Sequence, residues 1–138
     1  MKQANQLTTL AALCVMSVTA TAGMFDGSKV LLCATQTVNE CIPGWGCDAV
    51  SQESVNLPDF LKVDVGNKVI GTASTETPVE RIEHLDGKLV LQGADDGLEG
   101  IRDGLGWTMT IHEENGNMSL IAAGDGYAIV SFGTCATK

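Results

Sequence analysis

The sequence predicts a mainly β domain: a small antiparallel β-barrel or sandwich, built as a meander of about seven short strands. A short N-terminal helix and a disulfide-bridged loop precede the strands. Three observations carry this expectation. From residue 60 onward apolar and polar residues alternate, as where Leu61, Val63 and Val65 share one face and Lys62 and Asp64 the other. Tight-turn residues punctuate that alternation at Gly66-Asn67, Asp86-Gly87 and Gly124-Asp125-Gly126. Four cysteines outside the first 22 residues, Cys33, Cys41, Cys47 and Cys135, supply covalent staples for a core of modest size.

The chain opens with Lys2, a short apolar run over residues 7–18, and Ala20-Thr21-Ala22. That is the layout of a secretory signal peptide, and the run is too short to span a bilayer. Removal of 22 of the 138 residues leaves one domain of 116, residues 23–138. Cys14 leaves with the signal. Residues 26–40 suit a helix, with Asp26 or Ser28 as cap and Val30, Leu31, Ala34 and Val38 near one face, although Thr35 and Thr37 are poor helix formers. The cysteine loop follows, and Pro58 closes a polar connector. Strands are then expected over residues 60–65, 68–73, 79–85 and 88–92. Residues 95–106 form a loop dense in glycine and acid. In the strand over 107–112, Trp107, Met109 and Ile111 point inward. The last two strands, 118–123 and 127–132, are apolar on both faces, as a central or covered pair would be.

Lys2 is the one charged residue of the first 22, so the remaining domain holds 17 acidic and seven basic residues and a formal charge of −10. Such a surface repels nucleic acid and anionic membranes, and no second apolar stretch reaches membrane length. A periplasmic or secreted location puts the cysteines in an oxidising space. Four cysteines allow three pairings. The favoured one closes the loop Ile42-Pro43-Gly44-Trp45-Gly46 with Cys41–Cys47 and ties the start of the domain to its last strand with Cys33–Cys135.

Few residues invite chemistry. His84 and His112 could meet across a hairpin as metal ligands, but no ligand spacing supports this. The segment 95–103 carries Asp95, Asp96, Glu99 and Asp103, oxygen ligands of the kind calcium favours, without the twelve-residue calcium-loop spacing. No nucleophile elbow, phosphate-binding glycine motif or redox pair spaced by two residues is present. No cofactor is expected. Trp45 stands between two glycines in the cysteine loop, with two readings open: it anchors a partner, or it folds back onto the end of the barrel.

Asp26-Gly27-Ser28-Lys29, Leu31-Leu32-Cys33-Ala34, Glu40-Cys41, Gly46-Cys47, the run from Asn56-Leu57-Pro58-Asp59 to Asp64, Gly106-Trp107-Thr108-Met109 and the closing Phe132-Gly133-Thr134-Cys135 form a recognisable set. With them the chain resembles uncharacterised small exported proteins of proteobacteria that carry four cysteines. The resemblance implies a periplasmic location and four family cysteines, and brings no activity. A lipocalin-like G-x-W opening is missing, since Gly44-Trp45 and Gly106-Trp107 lack the spacer. The expected function is a non-catalytic binding or accessory module with a protein or small-molecule partner. A carrier of an apolar small molecule is the alternative, and a metal protein or enzyme ranks below both.

Overall fold

The computed structural model describes residues 23–138, so the expected signal peptide lies outside the described residues. Ten antiparallel strands form one sheet. In chain order they are β1 (Leu31–Ile42), β2 (Gly46–Val50), β3 (Phe60–Asp64), β4 (Val69–Gly71), β5 (Glu76–Pro78), β6 (Arg81–Leu85), β7 (Lys88–Asp95), β8 (Leu105–His112), β9 (Asn117–Gly124) and β10 (Tyr127–Thr137). All seven expected strands are present. β1, β2 and β5 are additional.

The expected helix over residues 26–40 does not form, and most of that segment is β1. The apolar positions that fit a helical face also fit a strand with one irregularity. Leu31, Cys33 and Thr35 are buried at every second position, a bulge between Thr35 and Thr37 shifts the phase, and Val38 is buried next. The β-branched residues Thr35, Thr37 and Val38 favour that outcome. The one helical segment among the described residues is a 3-10 turn, Glu53–Val55.

The sheet runs β5-β4-β3-β1-β10-β9-β8-β7-β6, with β2 pairing the second half of β1. β1 and β10 lie side by side from Leu31↔Thr137 to Cys41↔Ala128. On its other edge β1 takes β3 along residues 31–34 and β2 along residues 38–42. From β10 a meander of hairpins runs back to β6.

Neither a sandwich nor a fully laddered barrel results. β5 and β6 occupy opposite ends of the strand order yet are joined by Val79 and Glu80 alone. A link that short spans about 10 Å, so the sheet must curl until its ends meet. Val79 N donates to Lys68 O at 2.8 Å and Glu80 N to Gln92 O at 2.9 Å, which fixes the junction. The product is a curled half-barrel with one apolar core on its concave side. Leu31, Val63, Leu89, Leu91, Met109 and Ile111 are fully buried there.

Two glycines allow close approaches. A Cβ at Gly133 would stand 2.0 Å from Ala34 O, so glycine is needed where β10 passes the β1 bulge. A Cβ at Gly93 would stand 2.6 Å from the Trp107 ring, so the indole lies on bare backbone of the neighbouring strand.

The disulfides Cys33–Cys135 and Cys41–Cys47 are the favoured pairing. Both join residues directly opposite one another, across β1/β10 and β1/β2. Their sequence separations are 102 and 6 residues. Chain entropy makes the long loop worth about 4.7 kcal/mol and the short one about 2.4 kcal/mol. The double variant C33A/C135A should therefore lose roughly 10–20 °C in Tm by calorimetry, and C41A/C47A about half as much. Equal losses would contradict this assignment.

The β3–β4 turn carries a pH-dependent contact. Asp64 Oδ2 accepts from Asn67 Nδ2 at 2.9 Å and Oδ1 from Asn67 N at 3.1 Å. These bonds to the ionised form hold the Asp64 carboxyl below the usual aspartate range; burial opposes them and Lys62 adds a smaller favourable effect. The folded-state value is depressed, so the contribution is present above about pH 4 and lost as pH falls through the folded value. In Asp64→Asn the melting temperature should fall less steeply below pH 4 than in the native protein. Parallel Tm–pH curves would count against this role.

Candidate functional site

Two features at one end of the half-barrel stand out. The first is the hairpin of β1 and β2. Its tip, Ile42-Pro43-Gly44-Trp45-Gly46, is closed by Cys41–Cys47 one residue below. Gly44 and Gly46 sit at φ 80° and 97°, left-handed conformations that bulky residues avoid. Trp45 N donates to Ile42 O at 3.0 Å, completing the turn. The indole faces solvent, with Trp45 86% exposed, so it does not fold back onto the barrel end. Ile42 beside it is 43% exposed. A shallow recess adjoins the tip, walled by the hairpin and by Gly124, Gly126, Tyr127 and Ala128 of the β9–β10 turn.

The second feature is a groove of about 520 Å³ at the mouth of the half-barrel. Inward residues of the curled sheet form its floor: Leu61 of β3, Ile70 of β4, Trp107 of β8, and Leu120 and Ala122 of β9. The connector Val55-Asn56-Leu57-Pro58 walls one side and the 95–105 loop the other. The expected inward position of Trp107 holds, with the residue 8% exposed, and its Nε1 has no hydrogen-bond partner among the described residues.

The acidic loop contributes Asp95 and Asp103 to this groove. Both carboxylates help build the loop. Asp95 accepts from Thr77 Oγ1 at 3.1 Å and from Gly97 N at 2.9 Å, and Asp103 Oδ1 accepts from Leu98 N at 2.8 Å. Gly97 leaves room for the second, since a Cβ there would stand 2.0 Å from Asp103 Oδ1.

The histidines do not meet. His84 Nδ1 lies 2.5 Å from Glu113 Oε1 near the β6–β7 hairpin, while His112 has a buried Nδ1 without a partner. No cluster of three or more metal-ligating side chains occurs among the described residues. Trp45 and the acidic loop stand out in the sequence; the groove does not. The signal was small against large: Gly93 directly opposite Trp107 on adjacent strands marks where an indole lies flat in the wall.

β9 and β10 are a central pair of the sheet, one of the two expected placements, while their outer surface is uncovered, with Ile121 48% and Phe132 49% exposed. The two disulfides are consistent with an extracellular or periplasmic protein. No helix among the described residues is long and apolar enough to cross a membrane. Comparisons with protein-family models, curated proteins and solved structures give no match.

Proposed function

We propose that this protein is an exported, non-catalytic binding or accessory module of the periplasm or extracellular space, related to the small four-cysteine proteins it resembles. The exposed Trp45 carries this reading. A tryptophan gains more than most residues from leaving water, and here it is held out by a turn that a disulfide closes. Holding it rigidly lowers the entropy lost on docking, and exposed aromatics of this kind anchor protein partners. A second reading, carriage of an apolar small molecule, is supported by the groove, whose volume of about 520 Å³ lies within the usual range of small-molecule sites.

The partner reading is tested by placing a photo-crosslinking amino acid at position 45 of the full chain in living cells. A control carries it at Asn117, an exposed residue on a different strand. Discrete adducts are expected from position 45 alone. Excess native protein should compete them away, and Trp45→Ala should not. Identical adducts from both positions, or none from 45, would sink the reading.

A further inference from the structure

We propose that the groove at the mouth of the half-barrel binds an amphiphilic cation, an alkyl body with an amine head; this rests on the carrier reading above. The walls differ in chemistry from floor to rim. Leu61, Ile70, Trp107 and Leu120 make an apolar floor suited to a hydrocarbon chain. The acidic side chains of its wall are Asp95 and Asp103, and no lysine, arginine or histidine among the described residues lines it. Both carboxylates are fixed by hydrogen bonds from the groove's own loop and from Thr77 of β5. Each keeps acceptor capacity, because a carboxylate has about four lone-pair sites. Asp103 Oδ2 accepts no hydrogen bond among the described residues.

Charge selects among ligands of equal apolar size. A fatty acid would place its carboxylate against two others, on a domain with formal charge −10 once the first 22 residues are set aside. A neutral alcohol would gain the floor and a single hydrogen bond at the rim, without the charge attraction. An ammonium gains both, and three N–H donors let it bridge the two carboxylates through direct or water-mediated bonds. Both carboxylates are exposed at the rim, so salt screens this attraction and it is strongest at low ionic strength.

The test is calorimetric titration of the full domain with three probes sharing one chain, decylamine, decanol and decanoate, at low salt. Decylamine should bind about tenfold tighter than decanol, with decanoate weakest. The isosteric D95N/D103N pair should bring decylamine to the level of decanol and leave decanol unchanged. Ala122→Phe, which fills the floor, should abolish binding of all three. Melting curves confirm that each variant is folded.

Equal binding of the three probes, or a cation preference that survives D95N/D103N, overturns the charge class and leaves the carrier reading standing. Absence of binding by decanol and decylamine alike overturns both. Binding insensitive to Ala122→Phe places the ligand elsewhere and overturns the groove as its site.

Discussion

The pairing of the first strand with the last is the constraint on which the structure depends. β1 and β10 run together over nearly their full lengths, and Cys33 sits opposite Cys135 within the ladder. On one side of this seam hang β3, β4 and β5; on the other, the meander from β9 back to β6. Apart from the Val79–Glu80 junction and the Thr77–Asp95 hydrogen bond beside it, the strand ladder joins the two sets through β1 and β10. A ladder between residues about 100 apart is costly to close in an unfolded chain. The disulfide removes most of that cost from the folding equilibrium.

The same seam positions both binding features. Past the bulge, β1 leaves β3 behind and takes β2, so its final residues project as the hairpin that ends in Trp45. Beside it, β10 begins at Tyr127, which lines both the hairpin recess and the groove. The groove exists because the sheet curls. A flat sheet would splay Leu61 and Ile70 away from Trp107 and Leu120. The short β5–β6 link therefore creates the cavity as much as any lining residue does. Acidic side chains at its rim fit a domain whose net charge is set by 17 carboxylates.

Local grammar made the meander legible. In β8, Trp107, Met109 and Ile111 alternate without interruption, and in β6–β7 the Asp86-Gly87 turn fixes the register His84↔Leu89. Three strands were hidden for distinct reasons. In β1 the bulge moves the buried set from Leu31, Cys33 and Thr35 to Val38, and the result mimics helical spacing. β2, Gly46–Val50, buries no side chain, so no pattern marks it. β5 is three residues, Glu76–Pro78, and is a strand only because β4 offers it a ladder. Trp45 was legible as a presented residue because two glycines and a cysteine pair frame it. Its orientation was not, since that depends on how the closed turn beyond Ile42 sits against the start of β10. The groove could not be read at all, because its wall comes from segments as far apart as Val55 and Tyr127.

Native-state hydrogen exchange followed residue by residue tests the dependence on the β1–β10 seam most directly. The slowest amides should lie along the seam, at Cys33, Val130 and their ladder neighbours, exchanging only through global unfolding. Amides of β5 and β2, at the margins of the sheet, should exchange through local opening. Seam amides that exchange as fast as those of β5, while β7 and β8 stay protected, would show that the meander holds itself together and that the terminal strands merely dock onto it.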